Sequence, residues 1–447
     1  MSGPDRSTRL RDDLRAMLGD GLAFGFMVGV GESFLAPFAL ALGFGDVTAG
    51  LVVTAPLLAG AVLQLVTPAA VGWLGSHKRW VVLCAVLQAA SLVPLAAGAL
   101  AEEMAVELLY LTVALYWGCG MATSPAWNTW AGTLVPPSIR ARYFAHRARW
   151  AQVALLAGLA SGGLVLQWGA RRGEPLPAYA LVFGVAMLSR LLSARFLGMQ
   201  SEPQPVPLGD TRVSPGAVAD HLRVGGHGRL LAYLLVFQSS VWIAAPYFTP
   251  YMLGPLGLDY SEFAALTGTA FLARIAALPA LGRLAHRSGT RRLLWLGSLG
   301  IVPLPALWLV SDSLAWLFLL QLLGGTMWAA FELATLLSFF EHIPLHARTS
   351  VLSVYNLAYA VAIVGGGAVG GWLLGLGGRG TSAYAAVLAF STAARLLSLV
   401  MLRGAPDVVP AATRPPTLRT LSVRPSAGAL QRPVLSALPE GGTEDDR

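Results

Sequence analysis

Four stretches of this chain, residues 47–77, 108–139, 230–258 and 349–378, contain no Asp, Glu, Lys or Arg. A helix needs roughly 20 apolar residues to cross the hydrocarbon of a bilayer, so each stretch is long enough to span. Charge is scarce elsewhere too: 12% of the 447 residues are charged and 55% are hydrophobic, where a soluble chain carries about 25% charged residues. Membrane barrel strands alternate over about 10 residues, and these runs are longer and continuously apolar, so the spans are helices. The expected class is an all-α polytopic membrane protein.

Hydropathy and breaker residues divide the chain into twelve spans, at about 19–43, 48–74, 80–101, 106–134, 149–169, 176–198, 230–253, 261–284, 293–311, 313–341, 350–375 and 381–402. Five segments follow: an N-terminal segment 1–18, a six-helix bundle 19–198, a central loop 199–229, a second bundle 230–403, and a tail 404–447. The loop carries Pro203, Pro205, Pro207 and Pro215, and the tail is rich in Pro, Arg, Ser and Thr. Neither has the pattern of a packed core, and the tail is expected to be disordered.

Basic residues set the orientation. One face receives Arg6, Arg9, Arg11, Arg15, Lys78, Arg79, Arg140, Arg142, Arg147, Arg149, Arg283, Arg287, Arg291, Arg292 and Arg348, while the other receives Arg171, Arg172 and Arg379. Positive charge prefers the cytoplasmic side, which places both termini there. The single Lys against 30 Arg, with abundant Ala and Gly, suggests a GC-rich bacterial genome and an inner-membrane location.

Several function classes fall away. Cys84 and Cys119 both lie inside apolar runs, which excludes a disulfide scaffold. The seven histidines sit at span ends or in connections and never cluster at ligand spacing, so no metal or other cofactor is expected. The net charge of +8 is read as membrane topology rather than nucleic-acid binding. No P-loop is present, no cleavable signal peptide is evident, and no nucleophile–base constellation lies at membrane depth, so an enzyme is not expected.

The two halves are related. Ala178-Tyr179-Ala180 leads to Arg190-Leu191-Leu192-Ser193, and Ala383-Tyr384-Ala385 leads to Arg395-Leu396-Leu397-Ser398 at a constant spacing. After the eighth span stands Gly282-Arg283-Leu284-Ala285-His286-Arg287-Ser288-Gly289-Thr290-Arg291-Arg292. It resembles the loop signature of the major facilitator superfamily, G-x-L-a-D-R-x-G-r-R, with His286 in the place of the acid. The first-half copy, Gly72-Trp73-Leu74-Gly75-Ser76-His77-Lys78-Arg79, lacks the acid altogether. The resemblance covers residues 17–403 and implies two pseudo-symmetric six-helix bundles in parallel repeat. It implies a secondary transporter that alternates access around a central cavity, acts on a small molecule with protons as the coupling ion, and works as a monomer.

Charges at bilayer depth cost about 2.5–3.5 kcal/mol or more and are functional suspects by default. Glu32 lies well inside the first span and reads as a proton carrier. Glu332 is the second proton candidate, on a face of the tenth span shared with Gln321, Gly325, Trp328, Thr335 and Phe339 at spacings of three and four. The resemblance, which sets the eighth span beside the central cavity, implies that Arg274 either pairs with Glu332 or binds an anionic substrate, and its first-half counterpart is Gln64. Further cavity candidates are Trp117, Ser124 and Asn128 in the fourth span, Gln238 and Trp242 in the seventh, and Asn356 in the eleventh. Arg190 and Arg395 are expected to snorkel toward the cytoplasmic surface, and Asp20, at the cytoplasmic mouth of the first span, to be an N-terminal helix charge or a gate partner rather than a proton site. Gly21, Gly25 and Gly29, Gly158 with Gly162, and Gly366 with Gly370 are expected to let helices approach closely.

The fifth-span motif of proton antiporters is only partly present at Gly158–Gly163, without its proline, and the fourth-span arginine of drug antiporters is replaced by Ala114. The acid in the first span and the aromatic lining favour export of amphiphilic or cationic compounds. Arg274 favours the alternative, import of an organic anion or metabolite. A non-transport assembly factor or receptor of the same fold is the third reading.

Overall fold

The computed structural model describes residues 6–202, 227–342, 345–376 and 380–403. The central loop and the tail thus fall largely outside the described residues. All regular structure among the described residues is helical, and eleven helices are long and apolar enough to cross a membrane. The stretch in ninth place, Thr290–Ile301 followed by Leu304–Leu307, is broken before Pro303 and does not reach that length as one helix. Proline at the start of a new helical turn costs no hydrogen bond, whereas inside a helix it would remove one.

Each half is a bundle of six such elements. The first span packs against the fifth and sixth, the second against the fourth, the eighth against the tenth, and the seventh against the eleventh and twelfth. Small residues set these approaches. A Cβ added to Gly29 would lie 2.0 Å from the Leu155 carbonyl oxygen of span 5, and one added to Gly370 would lie 1.9 Å from the Ile243 carbonyl oxygen of span 7. Helices come this close only where a side chain is missing.

The first and seventh spans are both broken at one level. Span 1 runs Arg6–Val30, tightens into a 3-10 turn at Glu32–Phe34, and resumes as Leu35–Ala41. Span 7 runs His227–Trp242, tightens at Ala245–Tyr247, and resumes as Phe248–Leu253. Aligning the two breaks pairs Phe24 with Phe237, Phe34 with Tyr247, Pro37 with Pro250 and Phe38 with Tyr251, so the repeat extends to these spans. In span 1 the cause is local: the Ser33 hydroxyl donates to the Val28 carbonyl at 3.2 Å and competes with the helical backbone.

The halves meet at the face opposite the termini. One apolar core there takes residues from both, including Phe34, Phe38, Tyr179, Tyr247, Tyr251, Phe263 and Tyr384. Toward the terminal face the described core divides into two clusters, Met17, Trp127, Trp130 and Phe144 in the first half and Leu230, Tyr233, Phe237 and Leu293 in the second. Contacts between halves include Phe34–Phe263 with ring centroids 6.1 Å apart, Tyr179–Tyr260 at 6.0 Å, and the Tyr260 amide donating to Gln167 Oε1 at 3.1 Å.

Candidate functional site

Glu32 opens the 3-10 turn of span 1 and is buried, with 7% of its surface exposed. Tyr116 of span 4, wholly buried, donates its hydroxyl to Glu32 Oε2 at 3.0 Å. The sequence reading had not selected Tyr116, although it precedes the candidate Trp117 and packs edge-on against it. The break in the helix matters here, because it places a buried carboxylate at an interruption of the regular backbone, where a specific partner offsets its desolvation.

Arg274 and Glu332 form an ion pair between spans 8 and 10, with Nη1 3.1 Å from Oε1. The spans reach each other because Gly325 has no side chain: a Cβ there would lie 2.2 Å from the Ala270 carbonyl oxygen. The guanidinium also lies 5.6 Å from the centre of the Phe271 ring. Each side chain keeps about a fifth of its surface open, at 20% and 17%.

A cavity of about 290 Å³ lies between the halves. Glu32, Ser33, Ala36 and Val53 line it from the first half, and Trp242, Phe271, Arg274, Trp308, Gln321, Trp328 and Arg395 are among the second-half residues that do so. Of the residues selected from sequence, it brings together Glu32, Trp242, Arg274, Gln321 and Trp328. Glu332 does not line it and is paired with Arg274, which does. Trp117, Ser124 and Gln238 are buried in the bundles, and Thr335 is half-buried away from the cavity. Gln64, Asn128, Asn356 and Phe339 lie on helices, but their side chains fall outside the described residues.

Three expectations are corrected. Arg190 and Arg395 do not snorkel, since they are 0% and 3% exposed. Arg190 turns inward, donating to Ser193 Oγ at 2.7 Å, and its guanidinium lies 4.9 Å from the centre of the Phe24 ring. Arg395 donates to the Ile301 carbonyl at 3.0 Å and to the Val241 carbonyl at 3.3 Å. Both acceptors stand where helices end; the Val241 carbonyl also accepts from the Ala244 amide at 3.2 Å. The third concerns Asp20, which is not an N-terminal helix charge. Its helix begins at Arg6, so the residue sits inside the span, fully buried, paired with Arg147 at 2.8 Å and accepting from Ser193 at 2.7 Å.

The loop motif has a definite shape. The eighth helix ends at Ser288, and Gly289 turns the chain with φ of 84°, which glycine adopts without strain. Gly282 is buried in the helix, Arg283, Arg287 and Arg292 are exposed, and Arg291 Nη2 donates to the Arg403 carbonyl at 3.3 Å. The His286 side chain lies outside the described residues. In the first-half copy an acid is supplied from elsewhere: Glu202 accepts from the Ser76 hydroxyl and from the amides of His77 at 2.8 Å and Lys78 at 3.2 Å. A carboxylate at a helix N-terminus meets both free amides and the positive end of the dipole.

Residues 230–438 match the family model of the Major Facilitator Superfamily. No curated protein sequence matches the chain. Among solved structures, the nucleoside transporter NupG superposes with a TM-score of 0.64 at 12% identity, covering 88% of this chain and 99% of that one. The xylose transporter XylE from E. coli gives 0.61 at 14% identity, covering 88% and 98%. The Major Facilitator Superfamily transporter FucP gives 0.57 at 13% identity, covering 88% and 99%. At these identities the likeness is one of fold. Residues 230–438 thus carry a sequence match to the Major Facilitator Superfamily, and the chain shares the fold of these transporters over most of its length.

Proposed function

We propose that this protein is a secondary transporter that alternates access around the cavity between its halves, with Glu32 as its proton site. The observation that carries the reading is the cavity itself, which is shared by both bundles and holds a buried carboxylate at the break of span 1. Loss of a proton from Glu32 places a charge against Tyr116 and the cavity, so the protonation state changes which arrangement of the halves is favoured. Three tryptophans, Trp242, Trp308 and Trp328, offer a small substrate an aromatic wall. In this reading the terminal face is cytoplasmic, the membrane is a bacterial inner membrane, and the structure represents a state closed on the outside.

The test does not require the substrate. Spin labels at Glu174 and Pro255, both exposed on the outer side and in different halves, report the opening of that face once Cys84 and Cys119 are replaced by Ser. In lipid nanodiscs the expected result is two distance populations whose ratio shifts between mildly acidic and mildly alkaline buffer, and a ratio frozen by Glu32→Gln. One fixed distance at every pH would remove the transporter reading and favour a receptor or assembly factor. A shift that survives Glu32→Gln would move the proton site elsewhere.

A further inference from the structure

The repeat keeps an arginine in both halves but not its surroundings. Arg190 and Arg395 occupy equivalent places in spans 6 and 12. In the first half the neighbouring span supplies a carboxylate: Asp20 accepts from Ser193, the residue that Arg190 itself holds. Aligning the broken spans by their 3-10 turns puts Tyr233 where Asp20 stands, and Tyr233 donates to Ser298 at 2.6 Å instead. Arg395 therefore has no carboxylate partner among the described residues. Its two hydrogen bonds go to backbone carbonyls, and its Nε, like Nε and Nη2 of Arg190, has no hydrogen-bond partner among the described residues. Yet it is 3% exposed and lines the cavity, whereas Arg190 does not.

A buried guanidinium without a counter-ion is strongly disfavoured, and a planar fork with free donors matches the oxygens of a carboxylate, sulfonate or phosphate. We propose that Arg395 is the anion-binding residue of the cavity and that the substrate class is small organic anions with an apolar body. The anionic group meets Arg395 where it lines the cavity, and the body lies against Trp242 and Trp308. Arg274 is less available, because Glu332 already neutralises it. This deepens the transporter reading and rests on it for the word substrate, though not for the site.

The experiment uses the full chain purified in a neutral detergent, with 2-naphthalenesulfonate as the probe and 2-naphthalenesulfonamide as its uncharged counterpart. The sulfonate is expected to raise the apparent melting temperature by several degrees and the sulfonamide to leave it unchanged. Arg395→Met should weaken sulfonate binding about tenfold or more and leave the ligand-free melting temperature equal or higher, since it removes an uncompensated charge. Arg395→Lys keeps the charge without the fork and should retain weakened binding. Displacement of the sulfonate by phosphatidylglycerol, but not by phosphatidylcholine, would make a lipid headgroup the source of the anion. Equal stabilisation by the sulfonamide, or full sulfonate binding in Arg395→Met, overturns the proposal. The spin-label distances are read separately: sulfonate binding in a protein that never opens keeps the anion site and removes transport, while opening without sulfonate binding does the reverse.

Discussion

At the scale of single residues, the buried charges divide by how they are compensated. Asp20 is held between Arg147 and the Ser193 hydroxyl, with no exposure to solvent. Asp20→Asn would leave Arg147 buried beside a neutral amide, and breaking such a pair costs about 3–5 kcal/mol. The expected outcome is a large fall in melting temperature in detergent. Tyr116→Phe removes one hydrogen bond to Glu32 and should cost only about 1–3 kcal/mol, while altering the pH response of the spin-label distances. Glu32, Glu332 and Arg274 were legible as charges inside the spans, because a charge far from either end of an apolar run is conspicuous without any partner. Arg190 and Arg395 were misread for the opposite reason. Their distance from the helix end allowed snorkelling, and what holds them inward, Asp20 through Ser193 in one case and the carbonyls of Val241 and Ile301 in the other, belongs to other spans. Periodicity along one helix carries no information about where another helix breaks.

At the scale of elements, the spans were legible almost throughout, because length and hydropathy decide them locally. The ninth was expected as one helix over 293–311 and is instead divided at Val302–Pro303. The small-residue stripes were legible as contact surfaces, and the structure gives each its partner. Gly29→Leu would drive a side chain into the backbone of span 5, where a Cβ already has only 2.0 Å. Gly184, by contrast, has nothing within 4 Å of the same added atom. Gly29→Leu should therefore abolish monodisperse elution in detergent, and Gly184→Ala should elute as the parent does. Equal behaviour of the two would mean that spans 1 and 5 are not tightly packed.

At the scale of the whole molecule, the closure between the halves on the face opposite the termini depends on short connections. Asp259 caps span 8 by accepting from the Glu262 amide at 2.8 Å, while Glu262 reaches back to the Asp259 amide at 3.0 Å. Partial desolvation pushes the Asp259 carboxyl up, but hydrogen bonds from Ser261 and Glu262 together with the charge of Arg171 hold it below its ordinary value of 3.8. A carboxyl held below its unfolded value stabilises the fold above that value, and the contribution is lost as pH falls through the lowered one. Acidification below about pH 4 should thus speed hydrogen exchange at Tyr260–Phe263, the segment bonded to Gln167 of the first half. Asp259→Ala, which removes the cap, should show fast exchange there at every pH, and an unchanged pH profile in that variant would assign the effect to another group.

The connection between the halves begins in a particular way. Ser201 donates its amide to Asp13 Oδ1 at 2.6 Å, its carbonyl accepts from Trp130 Nε1 at 2.9 Å, and Glu202 closes the start of span 3. The last described residues before the loop are thus bound into the first bundle at three separate helices. A protein divided for co-expression as two fragments, or nicked between its bundles by a protease, would keep this seam only if the cut falls after Glu202. A cut a few residues earlier would leave the loop intact and still take apart the end of the first bundle.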